Sequence, residues 1–267
     1  MTSTRAEQPT PDYVPGHDLL AGKVVVVTAA AGAGIGAAVV RRVLEEGARH
    51  VVVSDTHERR LAEAKEELAG EFGADRVTTQ TCDVTDPDAV TALVAAAEEV
   101  GGVDVMVNNA GLGGTVSITE MSDEAWSRVI DITLTGTMRC VRAAGLSMIA
   151  NGKRGVIVNN ASVIGWRAQE GQAHYAAAKA GVMALTRCSA HDLAPHGIRV
   201  NAVSPCLAMH PFLATVTSDE LLAELKAREA FGRAAEPWEV ANVMVFLASD
   251  YSSYLTGEVV SVSSQHA

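Results

Sequence analysis

Short β-branched runs alternating with helical stretches constrain this chain more than any other feature. The runs are Lys23–Thr28, His50–Ser54, Arg76–Thr81, Val103–Asn108, Gly155–Asn160, Ile198–Val203 and Glu258–Val262. Between them, apolar residues recur at three- and four-residue spacing, as in Leu61, Ala64, Leu68 and in Val90, Leu93, Val94, Ala97, the period of a helix with one buried face. Val24–Val27 and Val51–Val53 are unbroken apolar runs, as a parallel strand covered on both faces requires. Strand–helix alternation builds βαβ units with right-handed crossovers. The pattern therefore predicts a single α/β domain from about Ala21 to the C-terminus: a doubly wound parallel sheet of seven strands with helices on both faces. Residues 1–20 read as a flexible tail, because Met1–Pro15 mixes Arg5, Glu7 and Asp12 with Pro and Thr. The connection of about 204–236 breaks the rhythm. It holds Pro205, Pro211, Gly232 and one short helical piece, Leu221–Arg228. A long ordered connection after a strand's carboxyl end reads as a substrate loop over the ligand crevice.

A net charge of −11 argues against nucleic acid or an anionic membrane as the main partner. No apolar run approaches ~18 residues, so no membrane span is expected. Nor does the N-terminal stretch carry the apolar core of a signal peptide. Cys82, Cys140, Cys188 and Cys206 are scattered without a C-x-x-C pair, which reads as free thiols in a reducing cytoplasm. The eight histidines include no H-E-x-x-H, so no metal site is expected.

Strand Lys23–Thr28 runs into Ala29-Ala30-Ala31-Gly32-Ala33-Gly34-Ile35-Gly36-Ala37 and then a helical pattern. Gly32, Gly34 and Ala37 fit G-x-G-x-x-G/A placed directly after a strand. Missing Cβ atoms let the backbone approach a pyrophosphate, whose charge the helix N-terminus favours. Thr28, Gly32, Gly34, Ile35 and Gly36 are thus candidate dinucleotide contacts. About twenty residues on, the second strand ends in Ser54-Asp55. A carboxylate there accepts from ribose hydroxyls and repels a 2′-phosphate, which favours NAD over NADP. Arg59 and Arg60 temper that preference, although they read first as a solvated helix face.

Tyr175 and Lys179 stand four apart on an Ala-rich helical stretch, so their side chains share a face. A nearby ammonium is expected to lower the tyrosine pKa toward working range. Ser162, thirteen positions before Tyr175, follows the fifth strand. With these motifs in hand, the chain resembles the short-chain dehydrogenase/reductase family, whose fold is a Rossmann-type sheet. Further motifs carry the resemblance: Asp83-Val84, Asn108-Asn109-Ala110-Gly111, Asn201-Ala202-Val203-Ser204-Pro205 and the run from Gly232-Arg233 to Thr256-Gly257. It implies that Tyr175 is the general acid/base, that Lys179 holds the nicotinamide ribose, and that Ser162 bonds the substrate oxygen. Asp83 and Val84 would receive the adenine, with Asn109, Ala110 and Gly111 supporting the cofactor strand. Pro205, Leu207 and Ala208 would complete the nicotinamide side.

The family pattern is broken in places. Ala29 follows Thr28 where the family has glycine, and the loop reads one residue longer. Thr133 stands where the family carries a fourth catalytic residue, an asparagine that positions water for a proton relay. Cys206 replaces the glycine of Pro-Gly, and His210 replaces a common threonine. The C-terminus reads Val260-Ser261-Val262-Ser263-Ser264 in place of Val-Asp-Gly-Gly. As a set, these departures resemble one subgroup of the family, which acts on a bicyclic CoA thioester from steroid C- and D-ring breakdown. Such a substrate needs an apolar slot, for which Leu112, Trp166, Leu207, Met209 and Phe212 are candidates. It also needs a cation for the CoA phosphates, and Arg167 is the candidate there. A 3-ketoacyl-carrier-protein reductase and a non-catalytic nucleotide sensor remain as alternatives. The family also implies a homotetramer, with contacts through helices at Asp123–Ala150 and Ala173–Leu193.

Overall fold

The computed structural model describes residues 8–209 and 219–264. Seven strands form one parallel sheet in the order β3-β2-β1-β4-β5-β6-β7. They are β1 Val24–Val27, β2 His50–Asp55, β3 Val77–Thr81, β4 Val105–Asn108, β5 Val156–Asn160, β6 Arg199–Pro205 and β7 Val259–Val262. All seven sequence-expected strands form, each within two residues of its expected bounds.

Alternation along the strands divides the core. Val25, Val27, Val51 and Val53 face one layer, with Val39, Val43, Leu61, Met244 and Leu247. That layer belongs to helices α1 (Ile35–Glu45), α2 (Glu58–Phe72) and, late in the chain, Pro237–Ala248. Val24, Val26 and Val52 face the other layer, with Leu93, Val94, Cys140, Ala144 and Met148. Helices α3 (Pro87–Glu98), α5 (Gly136–Ala150) and α6 (Ala173–Leu193) cover that side. A strand covered on both faces has no position where a polar side chain meets water, which explains the unbroken valine runs. Among the described residues, no helix is long and apolar enough to cross a membrane.

The helix expected over Asp123–Ala150 is interrupted. α4 (Asp123–Ile130) passes into a π-helical turn, Asp131–Thr135, before α5 begins. Such turns insert a residue and re-aim the side chains around them. The long connection contains α7 (Asp219–Arg228), and α8 (Pro237–Ala248) follows it. Before α7, Ala208 bridges to Ala235, and Cys206 Sγ donates to the buried Glu229 (3.3 Å), which Ser264 also reaches (2.7 Å).

Residues 13–20 depart from the loose tail expected of them. Glu46, fully buried, accepts from His17 and Leu19 N–H (2.8 and 3.1 Å) and from Arg42 (2.6 Å). Arg42 also donates to Val14 O and stacks over the Tyr13 ring, which meets Trp238 edge-on at 5.3 Å. The sequence tail is polar, but α1 and α8 offer it a buried ion pair and an aromatic contact.

Candidate active site

The sheet order reverses between β1 and β4, and the crevice beyond their carboxyl ends is where doubly wound sheets bind ligands. Thr28 closes β1. Its Oγ1 accepts from the N–H groups of Asn109 and Ala110 (2.9 and 3.0 Å). Asn109 Nδ2 donates back to Thr28 O and Ala29 O (3.2 and 3.0 Å), while its Oδ1 accepts from Asn160 (2.9 Å). The ends of β1, β4 and β5 are thus stitched together by side chains.

The glycine loop leaves that stitch with Ala29 in the left-handed region (φ +50) and Gly32 at φ +144. At Gly32 and Gly34 an added Cβ would meet nothing within 4 Å, whereas at Gly36 it would strike Ala29 O and Asn109 Nδ2 at 2.5 Å. Gly34 caps α1 with no side-chain hydrogen bond. The first-turn N–H groups therefore face an open, glycine-lined approach, the arrangement an anionic pyrophosphate fits. Asp55, largely buried, accepts from Ala31 N–H (3.3 Å), His57 N–H (3.1 Å) and Arg60 (3.3 Å). Arg60 is thus the partner of Asp55 and not simply a solvated residue; Arg59 is 80% exposed and pairs with Glu63. Buried Ser54 Oγ, Asn160 Oδ1 and Ser204 Oγ, near the ends of β2, β5 and β6, have no protein partner. These donors and acceptors suit a dinucleotide. Asp83 caps its own turn through Thr85, and Val84 packs against Gly136.

Ser162 caps the short turn Val163–Gly165, and that turn presses on α6: a Cβ at Gly165 would lie 3.0 Å from Ala180 N and from the Lys179 carbonyl carbon. Ser162 therefore meets the face of α6 that carries Tyr175 and Lys179. Its hydroxyl lies close enough to the Tyr175 phenol to favour the phenolate. Lys179 Nζ donates to Asn160 O at 2.5 Å and lies 5.6 Å from the Tyr175 ring centre. The electrostatics correct one expectation. Tyr175 is held above its ordinary pKa because burial strips the phenolate of water, and the nearby Ser162 hydroxyl only partly offsets this. Burial also lowers Lys179, to about 8, so it is a weaker cation than an exposed lysine.

Thr133 sits in the π-helical turn, fully buried. Its Oγ1 donates to Leu112 O and accepts from Leu112 N–H. Gly111 lies against Lys179 Nζ, and Gly113 lies over the Tyr175 ring. A cleft of about 420 Å³ opens at the start of α6, lined by Val116, Ile118, Ala168, Ala173 and Ala176 among others, and its wall does not include Ser162, Tyr175 or Lys179. The sequence carried no motif for Val116 or Ile118. Asn160, the lysine's acceptor, was visible as a polar residue closing an apolar strand. Trp166 is 43% exposed. Arg167 leaves the same turn with its N–H on Val163 O (2.9 Å). Pro205 is buried, while Leu207 and Met209 pair through their backbones with Ala235. Phe212 and His210 lie outside the described residues.

Comparison with known proteins gives a consistent picture. A family model described as enoyl-(acyl carrier protein) reductase matches residues 29–264. The (5R,7aS)-5-hydroxy-7a-methyl-1-oxo-2,3,5,6,7,7a-hexahydro-1H-indene-carboxyl-CoA reductase of Mycobacterium tuberculosis is 60% identical, covering 96% of this chain and 97% of the relative. The cis-4-hydroxycyclohexanecarboxylate dehydrogenase of Sinomonas cyclohexanicum is 42% identical, covering 92% and 96%. A crystal structure of a short chain dehydrogenase from Mycobacterium smegmatis superposes with a TM-score of 0.86 at 56% identity, covering 97% of this chain and 99% of that one.

Proposed function

The chain belongs to the short-chain dehydrogenase/reductase family and is an oxidoreductase acting on a CH–OH group; we propose that it uses NAD and that its substrate is a steroid-derived bicyclic CoA thioester. The observation that carries the chemistry is Tyr175, with Lys179 Nζ 5.6 Å from its ring centre on the same helix and Ser162 on the turn packed against that helix. The substrate rests on the 60% identity to the indene-carboxyl-CoA reductase.

When bound, the nicotinamide supplies or accepts hydride. Gly32, Gly34, Ile35 and Gly36 would hold the pyrophosphate at the start of α1, with Thr28 fixing the strand end. Asp55 would accept the adenosine ribose hydroxyls, and Asp83 and Val84 would flank the adenine. Asn109, Ala110 and Gly111 would support the nicotinamide half, and Pro205, Leu207 and Ala208 would close it. Tyr175 moves a proton to or from the substrate oxygen. Ser162 donates to that oxygen as charge develops, and Lys179 orients the ribose. Thr133 fixes both backbone groups of Leu112 in the loop between Gly111 and Gly113. Leu112, Trp166, Leu207 and Met209 would line the apolar slot, and Arg167 would be the cation for the CoA phosphates.

Asp55 supports NAD, since a 2′-phosphate meets its charge; Arg60 at 3.3 Å softens that repulsion. Self-association as a homotetramer in the cytoplasm belongs to the same reading. Trp126, Leu146 and Ile149, exposed at 39%, 64% and 37% on α4 and α5, support the assembly, and a stable monomer by light scattering would remove it. The 38% identical 3-oxoacyl-[acyl-carrier-protein] reductase of Thermotoga maritima favours a second reading, reduction of a carrier-bound ketoacyl chain.

The test is nicotinamide absorbance with NAD⁺ and NADP⁺ offered in parallel on the indene-carboxyl-CoA thioester, with Tyr175→Phe as control. Turnover of the thioester with NAD⁺, lost in the variant, is the expected result. Turnover of linear ketoacyl thioesters alone moves the assignment to the second reading.

A further inference from the structure

We propose that Glu229 is a positioning residue for the nicotinamide end of the site: its buried carboxylate clamps Cys206, and through it the Pro205–Ala208 segment, to the residues that follow β7. The proposal rests on the reading of Pro205, Leu207 and Ala208 as the residues that close the nicotinamide half.

Glu229 follows α7 and is 3% exposed. One of its oxygens, Oε2, takes two donors from distant parts of the chain, Cys206 Sγ at 3.3 Å and Ser264 Oγ at 2.7 Å. Cys206 is the first residue after β6, and Ser264 lies two residues beyond β7. A carboxylate taken out of water is costly unless donors meet it, and the bonds it then accepts are strong ones. Burial pushes the Cys206 thiol up, so it keeps its proton and donates it. Cys206 and Ser264 are also two of the positions at which the sequence departs from its family's pattern. Their side chains end on the same oxygen, so the two departures act together. A glycine at 206 would leave Glu229 with one donor fewer.

The clamp sits where the strands of the site end. β5 and β6 pair with Asn160 opposite Val203, and Asn160 O holds Lys179 Nζ. Ala161 N–H then donates to Val203 O at 2.8 Å, one residue before Ser162. Cys206 is three residues beyond Val203, on the order of 10 Å at the rise of a strand. The segment it opens is held by backbone at Leu207, whose O accepts from Ala235 N–H (2.8 Å), and at Met209, whose N–H donates to Ala235 O (3.0 Å). Cys206 N–H reaches Val262 O (3.1 Å), and the Glu229 carboxylate adds the side-chain tie. Between Glu229 and Ala235 the chain turns at Gly232, φ +68, whose N–H donates to Glu229 O (3.0 Å). Glu229 thus fixes both its own turn and the segment with which that turn pairs. A segment held in place before the cofactor arrives costs less to order on binding.

The test is calorimetric titration of the purified full chain with two probes: NADH, and ADP-ribose, which lacks the nicotinamide. Glu229→Ala should weaken NADH by about 3–10-fold and leave ADP-ribose within about twofold. Cys206→Gly, a milder change, should weaken NADH alone in the same way, and the double variant should be no worse than Glu229→Ala. Glu229→Gln keeps an acceptor and Cys206→Ser keeps a donor, so each should retain most of the NADH affinity. Equal losses on NADH and ADP-ribose overturn the proposal, as does a lower Tm with both affinities unchanged; either makes Glu229 purely structural. Additive losses in the double variant overturn it too, since the two residues would then act apart. If the wild type binds NADH no more tightly than ADP-ribose, the nicotinamide end holds nothing and the proposal falls. If it binds neither, the dinucleotide reading falls with it.

Discussion

Thr133 commits its single hydroxyl proton to Leu112. Oγ1 donates to the Leu112 carbonyl at 3.1 Å and accepts the Leu112 N–H at 3.0 Å. A threonine in a π-helical turn thereby closes both backbone groups of a loop residue next to Gly113, which covers Tyr175. The family's asparagine offers separate donor and acceptor atoms at this position; the threonine hydroxyl has one proton, and Leu112 holds it. It holds the loop, and it has no proton left to donate to a water near Lys179.

Thr133→Val keeps the shape and removes the hydroxyl, so the Leu112 N–H and C=O lose a buried partner. A loss of about 2 kcal/mol in unfolding free energy is expected, read by urea titration. Thr133→Asn should leave NADH affinity within about twofold, since Thr133 bonds the loop and not the glycine-lined approach. A large loss of NADH binding in the Asn variant would place Thr133 in the cofactor site instead.

Lys179 trades stability for function. Its folded pKa near 8 lies below the ordinary 10.5, so between those values the unfolded chain binds more protons and stability rises with pH. The penalty of burying the ammonium is therefore full below about pH 8 and gone above about 10.5. It is on the order of 3 kcal/mol, partly offset by the bond to Asn160 O. Lys179→Met should abolish turnover, melt a few degrees higher than wild type at pH 7, and lose that advantage by pH 10. A lower Tm at both values would show that the Asn160 bond outweighs the desolvation.

The glycine loop can be tested in both directions. Ala29 holds φ +50, a conformation that costs an L residue roughly 1–2 kcal/mol and glycine almost nothing. Ala29→Gly should therefore raise stability, by less than that figure because glycine also loosens the unfolded chain. Gly36→Ala should do the reverse. Its Cβ would lie 2.5 Å from Ala29 O and Asn109 Nδ2, forcing apart the contact that ties β1 to β4. A loss of about 1–3 kcal/mol and weaker NADH binding are expected. Thermal melts with and without NADH separate the two effects.

The parts of this molecule legible in its sequence are those set by local period and by glycine. Valines at consecutive positions forced strands covered on both faces, and seven such strands with helices between them leave few arrangements. Gly32, Gly34 and Gly36 could be placed because missing Cβ atoms have a stated geometric use. Residues that act through distant partners were not legible. Asn160 faces Lys179 and Asn109 from another strand, and nothing near it in sequence announces either contact. The Tyr175 pKa went the other way because helical spacing reports that Lys179 is near, but not that both groups are buried. The N-terminal segment misled for the same reason: its polar composition describes its own residues, while its anchor is the side chain of Glu46.

That anchor makes the last prediction. Glu46 and Arg42, 0% and 5% exposed, form an i,i+4 pair at 2.6 Å inside the fold. Glu46 also accepts two N–H groups of the segment, and Arg42 donates to Val14 O. Glu46→Ala leaves a buried guanidinium and two backbone donors without their acceptor, a change that typically costs about 3–5 kcal/mol. Replacing both residues together, Arg42→Met with Glu46→Gln, removes the orphaned charge and should recover part of that loss. In Glu46→Ala the segment keeps Tyr13, on Trp238 and bonded to Glu45, and the backbone bonds of Gln8 and Leu20. Proteolysis should therefore cut before Leu19 faster than in wild type, and more slowly again in the double variant, whose glutamine can still accept from His17 and Leu19. The pair lies at the far end of α1 from Gly34, so NADH affinity in the double variant should match wild type. Wild-type resistance to proteolysis in the Glu46→Ala protein would show that these remaining contacts, and not the ion pair, hold the segment down.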